Sequence, residues 1–272
     1  MSRQSTHKIR LGGRSITYRE EGEGPAVVLL HGFLCDSRAW DHQLLELSDA
    51  FRVLAWDAAG AGASGDPPDP FTIMDWADDL RKLLDVLGVE QAHLIGLSWG
   101  GLVAQAFYGL FPSRVTSLVL SDTYAGWKGS LPPDVVEKRL ARCLSESELA
   151  PAEFVARWVP TEFFTKGVSD EVTEAMSVIV SEFHPLGFRL MARSLAESDT
   201  TSLLSTIHVP TLLLWGEEDQ RSPIDVAEQF RDSIPNAELQ IIPAAGHVSN
   251  MERPDAFTSH VRRFLASSSQ GC

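Results

Sequence analysis

The chain has 272 residues, a length at which one large core carrying an insertion is expected rather than two independent units. Its 23 Lys and Arg against 37 Asp and Glu give a net charge of −14, which argues against nucleic acid or an anionic membrane surface as the main partner. Cys35, Cys143 and Cys272 lack paired spacing, no apolar run reaches membrane-spanning length, and the first residues, MSRQSTHKIRLGG, lack the apolar centre of a signal peptide; a disulfide framework is thereby excluded and the cytoplasm is the expected location.

Short apolar runs at 15–20, 26–30, 52–57, 92–97, 115–121, 211–215 and 239–243 read as strands. Several are continuous rather than alternating, as strands covered on both faces should be. Between them, Trp76, Leu80, Leu83, Leu84 and Leu87 recur at helical spacing up to Gly88. Strands alternating with helices predict an α/β fold with a mostly parallel central sheet flanked by helices. The alternation breaks between about 124 and 207, where helical patterns at 131–144, 152–159 and 170–183 come without a strand. This segment reads as a helical cap inserted into a core formed by 1–123 and 208–266. The polar end, 267–272, reads as a disordered tail.

The stretch 92–107, AHLIGLSWGGLVAQAF, turns from a strand-length apolar run directly into a helical one. Gly96, Ser98 and Gly100 match G-x-S-x-G, a strained strand-to-helix turn that exposes a serine nucleophile. A serine hydroxyl needs a base to take its proton and donors to hold the oxyanion that forms. The N–H of Trp99, at a helix start, is one candidate donor. The N–H of Phe33, in the loop after 26–30, is the other. His31 sits beside that loop and reads as a structural hydrogen-bonding residue. His247, on a small-residue loop between a strand and a helix, is the candidate base. Asp219 and Asp122 both follow strand ends; Asp219 is favoured because it gives the chain order Ser, Asp, His.

These pieces resemble the α/β-hydrolases of the capped esterase and lactonase type, from about Ser15 to Leu265. The resemblance lies in HGF at 31–33, D-x-x-G-x-G-x-S at 57–64, GLSWGG at 96–101, VPTLLLWGEED at 209–219 and GHVSNMERPDAF at 246–257. GLSWGGLVAQ is also similar to the 3-oxoadipate enol-lactonase branch. The resemblance implies that Ser98 attacks, His247 moves the proton, Asp219 orients it, and Phe33 and Trp99 bind the oxyanion. It implies a small-molecule ester or lactone as substrate and no cofactor. Two departures stand out: Ala59 replaces the usual arginine of the 57–64 stretch, and Trp99 follows the serine, where its ring is expected to line the acyl side. No cationic residue is apparent for a substrate carboxylate. Trp127, Trp158, Phe164, Phe188 and Val248 are the pocket candidates.

Three rival readings compete with this one. Gly60, Gly62 and Gly65 spell G-x-G-x-x-G, but Pro67, Pro68 and Pro70 prevent the helix that a dinucleotide site needs. No metal-binding spacing occurs. The same fold also serves C–C bond hydrolysis, lyase chemistry and small-molecule sensing, because function lives in the site rather than the fold. Nothing in the sequence sets an oligomeric state.

Overall fold

The computed structural model of the chain describes residues 5–268. β1 (Ser5–Leu11) and β2 (Arg14–Glu21) form an antiparallel hairpin across Gly12-Gly13. β3 (Ala26–Leu30), β4 (Arg52–Asp57), β5 (Ala92–Leu97), β6 (Val115–Ser121), β7 (Thr211–Gly216) and β8 (Glu238–Ile242) follow. They make one 8-stranded sheet in the order β1-β2-β4-β3-β5-β6-β7-β8. From β4 to β8 every pairing is parallel, while β2 joins β4 antiparallel. The central strands β5 and β7 are buried along their whole length. The edge strand β8 alternates exposed and partly buried residues, which is why its sequence alternates too.

β1 lies outside the apolar runs that mark the other strands. Its STHKIRL sequence has only Ile9 and Leu11 as large apolar residues, and as an edge strand it needs no more.

α1 (Asp41–Leu47), α2 (Ile73–Val86) and α3 (Trp99–Leu110) belong to the first half of the sheet. α2 starts from a capping box between Thr72 and Asp75 and buries Trp76, Leu80, Leu83 and Leu84 on one face. Between β6 and β7 the chain forms α4 (Trp127–Ser130), α5 (Pro133–Glu146), α6 (Pro151–Glu162), α7 (Asp170–Ser181), α8 (Pro185–Glu197) and α9 (Thr201–Leu204), with no strand among them. Within this insertion α5 packs on α8 and α6 on α7, while α8 also contacts α2 and α3. α10 (Ile224–Ser233), α11 (Ser249–Glu252) and α12 (Pro254–Ser268) complete the chain. α12 corrects the predicted tail: Ser267 and Ser268 are helical, and Ser267 Oγ donates to the Phe264 carbonyl at 2.8 Å. The remainder of that tail lies outside the described residues.

No helix among the described residues is long and apolar enough to cross a membrane.

Candidate active site

Ser98 joins β5 to α3 with φ 52° and ψ −116°, a left-handed conformation that costs a non-glycine residue on the order of 1–3 kcal/mol. The turn is held from both sides: Ser98 N–H donates to the Ser121 carbonyl at 2.8 Å, and Thr123 Oγ1 donates to the Ser98 carbonyl at 2.6 Å. Its tightness explains the two glycines. A Cβ on Gly96 would lie 2.5 Å from the Gly100 carbonyl oxygen, and one on Gly100 would lie 2.1 Å from that of Leu30.

His247 follows β8 and Asp219 follows β7, so both stand at the same C-terminal edge of the sheet as Ser98. His247 Nε2 lies 2.8 Å from Ser98 Oγ, and Nδ1 lies 2.8 Å from Asp219 Oδ2. A carboxylate only accepts, so the His247 Nδ1–H donates to Asp219 while Nε2 faces the Ser98 hydroxyl. Asp219 Oδ1 accepts from the N–H groups of Arg221 at 2.8 Å and Ser222 at 3.0 Å, which fixes the carboxylate.

Asp122, the runner-up, has different work. Fully buried, it accepts from Gly216 N–H at 2.8 Å and from the hydroxyls of Ser121 and Ser249. Burial, together with the neighbouring Asp219 charge, pushes its carboxyl well above the usual range. His31 is structural, as its position suggests: Nε2 accepts from Ala58 N–H at 3.1 Å, and burial lowers its pKa so that the ring is neutral.

Among the described residues, nothing accepts a hydrogen bond from the backbone N–H of Phe33 or Trp99. The Phe33 ring stacks on Phe188 at 4.7 Å and meets Trp127 and Trp158 edge-on at 6.5 and 6.3 Å. The structure therefore brings together Phe33 and three of the five pocket candidates. Phe164 stands apart, on a cleft that opens at His247, and Val248 is buried beside His247 as the residue preceding α11. Phe154 and Phe183 join the aromatic cluster by stacking on each other at 4.0 Å.

The Trp99 ring does not form the expected pocket wall. It is fully buried, packed edge-on against Trp76 at 5.1 Å and tilted on His31 at 5.8 Å. Its Nε1–H donates to Ser194 Oγ at 3.0 Å. A buried indole N–H needs an acceptor, and Ser194 on α8 supplies it, so this side chain ties the insertion to the turn.

The loop lacking the family's arginine at position 59 is held by other means. Asp57 accepts from the N–H groups of Ser37 and Ala63, Trp76 Nε1 donates to the Ala59 carbonyl, and His184 bridges Asp66 and the Gly62 carbonyl. Gly60 and Gly62 have positive φ within this loop, and the next helix begins only at Ile73; the dinucleotide pattern is a tight turn. Cys35 is buried, and that burial pushes its thiol up, consistent with packing rather than nucleophilic duty.

This fold and this constellation define a hydrolase scaffold. Residues 25–254 match the α/β-hydrolase fold family, and the chain belongs to it. It is 28% identical over 248 residues to 3-oxoadipate enol-lactonase 2 of Acinetobacter baylyi, covering 90% of each chain. It superposes on a thermophilic esterase from Thermogutta terrifontis, solved with malate bound, with TM-score 0.88 and 32% identity over 97% of this chain and 99% of that one. The enol-lactonase from Burkholderia xenovorans superposes with TM-score 0.86 at 28% identity, over 96% and 100% of the two chains.

Proposed function

We propose that this chain is a serine hydrolase that cleaves a carboxylic ester or lactone through an acyl-enzyme on Ser98. The observation that carries this reading is the unbroken hydrogen-bonded relay from Asp219 through His247 to Ser98, with 2.8 Å at each step. In the proposed cycle Ser98 Oγ attacks the carbonyl carbon as His247 Nε2 takes its proton, and Asp219 holds the imidazolium that forms. The free N–H groups of Phe33 and Trp99 receive the oxyanion. His247 then gives its proton to the leaving oxygen, and afterwards activates the water that releases the acyl group. Residues 124–207 act as a cap over this site, their aromatic side chains gathered against Phe33. The esterase and enol-lactonase relatives support the substrate class.

The test is a pH-indicator hydrolysis screen at mildly alkaline pH over short esters, aryl esters, lactones and acyl-homoserine lactones, with Ser98→Ala alongside. At least one class is expected to be hydrolysed, with kcat falling by about 10³-fold or more in the alanine variant. Equal turnover by both proteins rejects the reading.

A further inference from the structure

Ser121, Asp122 and Thr123 end β6, which lies between β5 and β7, and they touch all three loops of the proposed relay. On the serine side, the Ser121 carbonyl accepts from Ser98 N–H, and Thr123 Oγ1 donates to the Ser98 carbonyl. On the acid side, the Thr123 carbonyl accepts from Ser222 Oγ at 2.6 Å, and Ser222 N–H is one of the two donors that fix Asp219 Oδ1. The third residue of the group, Asp122, brings a fully buried carboxyl to the same place.

Asp122 Oδ1 accepts from Gly216 N–H at 2.8 Å, and the Gly216 carbonyl accepts in turn from Asp219 N–H at 3.2 Å. Asp122 Oδ2 accepts from Ser121 Oγ at 2.7 Å and from Ser249 Oγ at 2.5 Å, and Ser249 follows His247 by two residues. One carboxyl thus bridges the turn that bears the acid and the helix start that follows the base. The backbone is arranged for this: Asp122 has φ 48°, and its N–H donates to the Leu214 carbonyl at 3.2 Å. A left-handed conformation at a non-glycine residue persists where the surroundings hold it. Asp122 bonds to neither nitrogen of the His247 imidazole, which face Asp219 and Ser98.

We infer that Asp122 is a positioning residue for the proposed reaction, its single carboxyl fixing the Asp219 loop against the His247 loop. This inference rests on the serine-hydrolase reading above. The relay has 2.8 Å at each step, yet its members sit on loops from three different strands, and loops move more than the strands they leave. A misplacement of about 1 Å can cost about 10²-fold in rate. Bonds from both loops to one buried group limit that freedom. A hydroxyl could serve either loop alone. A carboxyl has two oxygens with about four acceptor sites, enough for a backbone N–H and two hydroxyls together.

The experiment follows the phosphonylation of Ser98 by an aryl phosphonate ester, with the labelled residue identified by mass spectrometry. The amplitude reports the folded fraction, and the rate constant reports the relay. Asp122→Ala is expected to lower the rate constant by about 10²-fold while the amplitude is retained. Asp122→Asn keeps an acceptor for Gly216 N–H and should recover about tenfold of that loss. In an Asp219→Ala background the same Asp122→Ala change should cost less than about twofold, because effects of residues that act through one another do not add. A rate constant near the wild-type value in Asp122→Ala overturns the inference whatever the amplitude, as does an undiminished effect in the Asp219→Ala background. Should Asp122→Ala fail to fold, Ser249→Ala decides. Cutting the hydroxyl link to the histidine loop should slow the reaction by about tenfold, and an unchanged rate constant overturns the inference. The two levels separate by the labelled residue: labelling at Ser98 that ignores Asp122 and Ser249 rejects the positioning role alone, whereas a wild type that is not labelled at Ser98 rejects the hydrolase reading beneath it.

Discussion

Ser98 holds a left-handed backbone that its own chemistry disfavours, and the residues beside it show what maintains the strain. Gly100 has no room for a methyl group, with the carbonyl oxygens of Leu30 and His31 only 2.1 and 2.7 Å from a hypothetical Cβ. Backbone cannot swing aside as a flexible side chain can. Gly100→Ala is therefore expected to cost about 3 kcal/mol or more, read as a drop in the urea midpoint. A midpoint within error of the wild type would show that the turn is looser than its geometry. Asp122 gives a second prediction at this scale. Its folded pKa is raised above the unfolded value, so the stability it contributes is fully present below the ordinary carboxylate pKa of about 4 and is lost as pH rises through the folded value. Asparagine has an acceptor for Gly216 N–H and carries no charge at any pH. Between pH 5 and pH 8 the wild type should lose more stability than Asp122→Asn, measured by urea unfolding; parallel curves would mean that the carboxyl is ionised throughout.

Two contacts link elements that the chain keeps far apart. The first is α8 against the elbow and the loop after β4, through the Trp99 indole on Ser194 and the close approach of Gly187 to Gly60. The second is Glu252, at the end of α11. One of its oxygens accepts from Gly246 N–H at 2.8 Å, and the other accepts from Thr165 N–H at 3.0 Å and Thr165 Oγ1 at 2.9 Å. His247 N–H adds a bond to the Phe163 carbonyl at 3.1 Å. The histidine loop and the 163–165 segment of the insertion are therefore fastened together at a buried carboxylate. In Glu252→Gln the amide nitrogen must face a donor whichever way it turns, at a cost of about 1–3 kcal/mol. Hydrogen exchange at residues 163–165 and 246–247 should quicken together in that variant. Faster exchange in one segment only would break the proposed coupling.

At the scale of the whole molecule, the strand order does the assembly. β5, β6, β7 and β8 lie side by side and parallel, so the residues that follow β5, β7 and β8 emerge at one edge although Ser98 and His247 are 149 positions apart. Much of this was legible in the sequence. Seven of the eight strands, the helical insertion, the glycines of the elbow and the three residues of the relay all carry local signals: apolar runs, helical spacing, a steric demand for glycine. His31 could be set aside as structural from its place after β3. What was illegible depends on which surfaces meet. The sequence puts Trp99 after the serine but cannot say that its ring turns inward to Ser194, because that acceptor arrives from a helix almost a hundred residues away. Local chemistry thus determined the elements and the reactive groups, because backbone sterics and hydrophobic periodicity act over a few residues. Tertiary structure alone decided the orientation of the Trp99 ring and the fastening at Glu252, because burial and hydrogen-bond satisfaction are settled between segments distant in the chain.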